Sequence, residues 1–290
     1  MIKYFYEIGS KTWFGTGGKC LFFYEVNSLA NLKNLIRFLP NRIPIFTIGL
    51  GSNILFRDGL YFGVIIKLGK QFSNIKYSNE SNILTVGCAT KDIDFANFCL
   101  NNSLTGFEFL CGIPGTIGGA IRMNSGCYQQ SISDHLLNIT CINRNGKTVR
   151  LLKENINFDY RHTNIPKDYI FVEAQFCPKK AKKSFIKNQM QSVKLKKKKT
   201  QPIAVRTGGS TFKNPKQQKA WELIDNAGFR GLLKNHIQVS KIHPNFLINY
   251  GNKSSLEIEL LGEEIRKKVF EMYGIKLEWE IERVGNFEKI

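Results

Sequence analysis

The chain has 290 residues, of which 42% are hydrophobic and 22% charged, with no apolar run long enough for a membrane span. It therefore reads as a globular protein with room for one large or two to three modest domains. Lysine and arginine outnumber aspartate and glutamate 42 to 23, a formal charge of +19 that permits an anionic partner, but no base-reading or zinc-finger pattern accompanies it.

The start, Met1-Ile2-Lys3-Tyr4-Phe5-Tyr6-Glu7, lacks a charged segment followed by an apolar one, so no leader is expected and the cytosol is the expected compartment. Residues 10–26 are expected to be extended, with Gly15-Thr16-Gly17-Gly18 turning into a buried strand at 20–24. Ser28 is placed to cap a helix whose Leu29, Leu32, Leu35, Ile36 and Leu39 share one face, stopped at Pro40. A strand at 43–48 then runs into Gly49-Leu50-Gly51-Ser52-Asn53, a β-α-β opening. The Gly49-x-Gly51 turn invites a dinucleotide fingerprint, which requires a third glycine and a helix directly afterwards. Here a strand and hairpin at 54–59 and another strand at 64–66 follow, so the Rossmann reading fails. A strand–turn–strand glycine loop can still present backbone amides to a diphosphate.

Paired strands are expected at 72–77 and 83–88, then a helix over 92–101 with Ile93, Ala96, Cys99 and Leu100 as its apolar side. The next stretch, from Gly112 to Gly126, holds five glycines in fifteen residues without a polar run that would make it a linker. Such density fits backbone at positive φ or in close approach to another group. A nest of amides for a phosphate-bearing cofactor is one reading, and a glycine-rich turn packed between sheets is the other. Strands follow at 137–143 and 149–152 across an Asn145-Gly146 turn, then Phe158-Asp159-Tyr160-Arg161-His162 and a strand at 169–176.

From Pro178 to Lys199 the chain turns basic, with Ile186, Met190 and Val193 at helical spacing. This is either a solvated helix bordering two domains or a patch that receives an anionic ligand. The last third begins at Gln201-Pro202 as a separate α+β domain. It is expected to hold a helix over 220–227 ended by Gly228, and a capping box of Ser254 and Glu257 for a long helix closed by Gly274. A terminal strand over 277–285 would put Glu278, Glu280 and Glu282 on one face. The seven scattered cysteines read as buried hydrophobes of a reducing compartment, and the four histidines show no metal-ligand spacing.

Five motifs occur in a fixed order: Gly49-x-Gly51-Ser52-Asn53; Gly112-Ile113-Pro114-Gly115-Thr116-x-Gly118-Gly119-Ala120; Tyr160-Arg161; Gly209-Ser210-x-Phe212-Lys213-Asn214-Pro215; and Leu277-Glu278-x-Glu280. From about Thr12 to Gly285 the chain resembles the UDP-N-acetylenolpyruvoylglucosamine reductase (MurB) family, in its shorter form without an inserted substrate-capping segment. The resemblance implies an α+β fold: a two-lobed FAD-binding region of the vanillyl-alcohol-oxidase/PCMH type, followed by an α+β substrate-binding domain. The implied segments are lobe 1 at 1–75, lobe 2 at 76–180, a basic helical connector at 181–201 and the substrate-binding domain at 202–290.

The same resemblance implies an oxidoreductase that takes electrons from NADPH through FAD to UDP-N-acetylglucosamine-enolpyruvate in the bacterial cytoplasm, with no nucleic-acid partner and no membrane insertion. The implied cofactor contacts are Gly49, Leu50, Gly51, Ser52, Asn53, Gly112, Ile113, Pro114, Gly115, Thr116, Gly118, Gly119, Ala120 and Asn124. Some relatives in the wider superfamily tether flavin through a histidine, and none precedes His135 here, so non-covalent FAD is expected. Arg161, Ser210 and Glu280 match the catalytic positions, as carboxylate partner, proton donor and polariser of the enolic intermediate. Tyr160, Asn214 and Lys198 match substrate contacts, with the register inside Lys196-Lys197-Lys198-Lys199 left open. The chain departs from the family pattern at Cys127-Tyr128-Gln129 and at 234–240, which affects local loop shape. Two rivals stay open: a related flavin oxidase, and a nucleic-acid-binding protein that uses the +19 charge.

Overall fold

Ser28 takes the Asn31 N–H on its hydroxyl oxygen and starts helix α1, Leu29–Phe38, which buries Leu32 and Ile36 of the predicted face, half-buries Leu35 and Leu39, and leaves Leu29 exposed. The computed structural model containing it describes residues 2–251 and 254–287. Met1 and residues 288–290, at the two ends of the predicted segments, and Asn252 and Lys253 within the last of them, lie outside the described residues. The chain divides into two compact units, each assembled from separated stretches. Helices and strands are mixed throughout, an α+β fold, and no described helix is long and apolar enough to cross a membrane.

The first unit takes in Phe22–Leu50 and Gly63–Lys197 with the first residues of the chain. Strands Cys20–Val26, Tyr61–Leu68 and Ile45–Ile48 lie side by side in that order, with an unpredicted strand, Ile2–Tyr6, on the outer edge. A five-stranded antiparallel sheet runs Thr148–Leu152, Leu136–Ile142, Ile170–Phe176, Ile83–Gly87, Ile75–Ser78. Its first pair forms the predicted hairpin over Asn145-Gly146, where Gly146 takes φ +70°. Phe72, expected in a strand, instead sits buried in a short 3-10 turn.

Helix α2, Asp92–Asn101, has the predicted bounds but a different buried face: Asp92, Phe95, Ala96 and Cys99, with Ile93 and Leu100 only half-buried. Phe95 decides the orientation. Its ring lies 5.0 Å from Phe107 and 5.6 Å from Phe176, and these two are 5.5 Å apart, an aromatic trio at the centre of the core. Asp92 is carried into that core with it, and neither carboxyl oxygen finds a partner among the described residues. Burial pushes its pKa well above the ordinary carboxylate range. A group that gains protons on folding favours the folded state as pH falls, so its contribution worsens as pH rises from about 4, the unfolded value, toward the folded one. Asp92→Asn is expected to flatten that decline, read as the urea midpoint between about pH 4 and pH 8. An unchanged slope would show that Asp92 is not its source.

The glycine-rich stretch is not loop throughout. Thr116 accepts the Gly119 N–H and starts a short helix, α3, Ile117–Arg122. Helix α4, Lys183–Thr200, buries Ile186, Met190 and Val193 as the spacing predicts and leaves most of its lysines exposed.

The second unit comprises Tyr4–Leu21, Gly51–Phe62 and the chain from Lys198 onward. The hairpin expected at 54–59 does not form, because strand Ile54–Phe56 pairs in parallel with Glu282–Val284 instead. Asp58, which signals a turn, does another job. Its carboxylate accepts the Ser255 and Leu256 amides at 2.9 and 3.1 Å and the Ser254 hydroxyl at 2.5 Å, and so caps helix α6, Ser255–Tyr273. The predicted box is therefore half made: Ser254 is the N-cap, but one Glu257 carboxyl oxygen is buried without a partner among the described residues. Gly274, at φ +68°, closes α6 as expected, and α5, Ala220–Asn226, precedes Gly228 at φ +84°. The terminal strand is shorter than predicted. Only Glu282–Val284 is regular, and Leu277, Ile281 and Val284 are the buried residues, so simple alternation does not hold. An antiparallel trio, Leu233–Lys234, Ile237–Val239 and Leu247–Asn249, completes this unit around Phe14, Leu55, Phe212 and Ile258.

Candidate active site

The residues singled out in the sequence fall into two groups, one in each unit. In the first unit, Phe158–Asp159 and His162–Thr163 form a small hairpin closed by Tyr160-Arg161. Arg161 takes φ +56°, a left-handed conformation that non-glycine residues adopt rarely and that costs about 1–2 kcal/mol. Its guanidinium donates to the Gly126 carbonyl at 3.0 Å and lies 5.0 Å from the centre of the Tyr160 ring. Asn124, also at positive φ, donates to the Asp159 carbonyl at 3.1 Å. The end of the glycine block is thereby tied to the hairpin that carries Arg161.

The block itself makes a cradle of backbone. A Cβ added at Gly49 would lie 2.6 Å from the Thr116 hydroxyl, and one at Gly115 would lie 2.5 Å from the Asp92 carboxyl. The predicted nest is narrower than the whole motif. The Ile117 and Gly118 amides are taken by the carbonyls of Thr90 and Cys88, each at 2.9 Å. The Leu50, Gly115 and Thr116 amides have no partner among the described residues. Asn124 Oδ1 is a buried acceptor that likewise has no described partner.

These features suit FAD. Free amides on closely approached backbone bind phosphate oxygens, and an orphaned buried acceptor waits for a hydroxyl or ring N–H. An ionised Asp92 would repel a diphosphate, and its burial favours the neutral acid.

Within the lysine run whose register the sequence leaves open, Lys197 is the one turned inward. Its amine reaches the Gly112 carbonyl at 2.5 Å, and burial, with Arg161 nearby, lowers its pKa. The signal was present: 186, 190, 193 and 197 continue one helical face. Lys198 is exposed, and the Lys196 amine lies 4.9 Å from the Tyr128 ring centre.

In the second unit, Ser210 and Glu280 are each half-buried, on neighbouring stretches of backbone. The Glu280 amide donates to the Thr211 carbonyl at 2.9 Å, and the Lys213 amide to the Glu278 carbonyl at 2.8 Å. Asn53 joins this group: its side chain donates to the Glu280 carbonyl at 3.1 Å, while its own carbonyl takes the Glu282 amide at 3.0 Å. Glu278 points elsewhere, exposed and 3.7 Å from the Lys213 amine. Spacing left three glutamates level; Glu278 and Glu280 both join the segment after Ser210 by backbone, and of these two only Glu280 is half-buried. Asn214 Oδ1 accepts the Ala220 amide at 3.0 Å, at the start of α5.

Comparison with known proteins bears on both units. A family profile described as an FAD binding domain matches residues 21–152. A second, described as the C-terminal domain of UDP-N-acetylenolpyruvoylglucosamine reductase, matches residues 201–284. The chain is 43% identical to the UDP-N-acetylenolpyruvoylglucosamine reductase of Rickettsia typhi over 282 residues, 97% of this chain and 95% of that one. It is 42% identical to the enzyme of the same name from Azorhizobium caulinodans, over 96% of this chain and 90% of that one. The crystal structure of the Thermus caldophilus reductase superposes with a TM-score of 0.85 at 26% identity, covering 98% of each chain. Sequence motifs, both profiles, the relatives and the fold agree, and the chain belongs to the UDP-N-acetylenolpyruvoylglucosamine reductase family.

Proposed function

We propose that this chain reduces UDP-N-acetylglucosamine-enolpyruvate to UDP-N-acetylmuramate, drawing electrons from NADPH through non-covalently held FAD in the bacterial cytoplasm. Family membership supports the reaction. The observation that carries it onto these residues is the backbone ladder that binds the Ser210 segment to Glu280.

FAD, when bound, would supply the redox chemistry, the relay of hydride from the nicotinamide to the vinyl carbon of the enolpyruvyl group. The amides of Leu50, Gly115 and Thr116 are the groups that would hold its diphosphate. Arg161 has the planar, permanently charged fork that pairs with the substrate carboxylate and stabilises the negative charge that develops beside it. Ser210 gives its hydroxyl proton to the carbanionic carbon, and Glu280 polarises the enolic oxygen. Tyr160, Asn214 and Lys198 are assigned to the sugar nucleotide, with Lys197 as the inward-facing alternative for its phosphates. Residues 1–75, 76–180 and 202–290 are assigned to the two cofactor lobes and the substrate-binding domain, joined by the connector at 181–201, with 4–21 and 51–62 folding into the unit of the last.

The purified protein is expected to be yellow, to bleach anaerobically with NADPH, and to regain its colour when the enolpyruvyl sugar nucleotide is added. Acid precipitation should leave all of the colour in the supernatant. Colourless protein that cannot be reconstituted with FAD would overturn the reading, and colour that stays with the pellet would overturn non-covalent binding.

A further inference from the structure

Asn245, in the second unit, is only 3% exposed and commits its whole side-chain amide to one residue, Phe212. Its Oδ1 accepts the Phe212 N–H at 3.0 Å, and its Nδ2 donates to the Phe212 carbonyl at 2.8 Å. Its own carbonyl accepts the Thr211 amide at 2.7 Å, and the next residue, Phe246, bridges to Ser210. One asparagine thus binds two consecutive residues of the segment that begins at Ser210.

That segment needs such an anchor. It belongs to no regular strand, being held by isolated bridges from Ser210 to Phe246 and from Phe212 to Trp279. The residue before Ser210 offers no side chain to hold it. Gly209 is at φ +83°, and a Cβ placed there would touch nothing within 4 Å. On its downstream side, Thr211 and Phe212 hold Ser210 through the bonds to Asn245. An apolar side chain at 245 could fill the same core space, but it would leave the Phe212 N–H and carbonyl without these partners.

We propose that Asn245 is a positioning residue for the protonation step, fixing the Phe212 backbone so that the Ser210 hydroxyl stays where the proton is delivered. This rests on the reading of Ser210 as proton donor. A proton donor acts only within hydrogen-bond reach, and a displacement of about 1 Å can cost about a hundredfold in rate.

The test is a double-mutant cycle on the FAD-loaded enzyme, with each half-reaction followed by rapid mixing at the flavin absorbance. Asn245→Ala is expected to slow reoxidation by the enolpyruvyl substrate about 10- to 100-fold, with reduction by NADPH changed less than about threefold. In a Ser210→Ala background the same change is expected to slow reoxidation by less than about threefold further, because the group being positioned is gone. Equal slowing of both half-reactions, or losses that simply multiply, would assign Asn245 to the general scaffold and overturn the proposal. If Asn245→Ala does not fold, Asn245→Asp carries the same cycle. It keeps the acceptor for the Phe212 amide, loses the donor, and is expected to give an intermediate loss. A crippled Ser210→Ala beside a wild-type Asn245 variant defeats only this inference. A fully active Ser210→Ala defeats the proton-donor reading beneath it.

Discussion

Ser210→Ala is expected to slow reoxidation of the reduced flavin by the enolpyruvyl substrate about 10²- to 10⁴-fold, the usual worth of a positioned general acid. Reduction of the flavin by NADPH should stay near the wild-type rate, because no proton need pass from Ser210 in that half. The asymmetry is the informative part. Ser210 is half-buried and precedes residues fixed by backbone bonds, so truncating its side chain removes a hydroxyl and little packing. The measurement is a pair of anaerobic stopped-flow traces at the flavin band, with FAD content checked beforehand. Parallel losses in both traces would show that the residue supports the site in general and is not the proton source.

Gly17→Ala is expected to have the largest effect on stability, lowering the unfolding free energy by more than about 4 kcal/mol or preventing folding outright. Gly17 takes φ +119°, a region closed to residues with a Cβ, and a methyl there would sit 2.0 Å from the Phe56 carbonyl oxygen. Neither backbone can yield easily. The Gly18 amide is bonded to the Arg57 carbonyl at 3.0 Å, and strand Ile54–Phe56 is locked to Glu282–Val284. Urea denaturation monitored by tryptophan fluorescence would read the change. A loss under about 1 kcal/mol would mean that the turn relaxes in a way this geometry does not allow.

Local signals were legible wherever neighbours in sequence are neighbours in space. The Ser28 cap, the hairpin over Asn145-Gly146 and the buried stripe of α4 all formed as predicted, and the face of α1 did so in its centre, at Leu32 and Ile36. Predictions failed where a distant partner outbid the local one. The turn at 54–59 looked like a hairpin, yet its strand pairs with residues near the end of the chain and Asp58 caps a helix that begins at Ser255. Phe95 was overlooked on α2 because only the rings of Phe107 and Phe176 make that face the inner one. The candidate site divides the same way. The proposed catalytic trio, Arg161, Ser210 and Glu280, came from motif order, whereas Asn245 carries no local mark, since a buried asparagine declares itself only by what it bonds across the fold.

The parallel pairing of Ile54–Phe56 with Glu282–Val284 bears on how the molecule can be cut. The C-terminal profile ends at residue 284 and begins at 201, and a fragment with those bounds looks like a transferable module. It would leave behind the strand that completes its sheet and the aspartate that caps its longest helix. Arg57 would go too, and with it the two-pronged ion pair to Glu259. The second unit is thus not one contiguous cassette: the short stretch at 51–62 belongs to it, encoded far upstream of the rest.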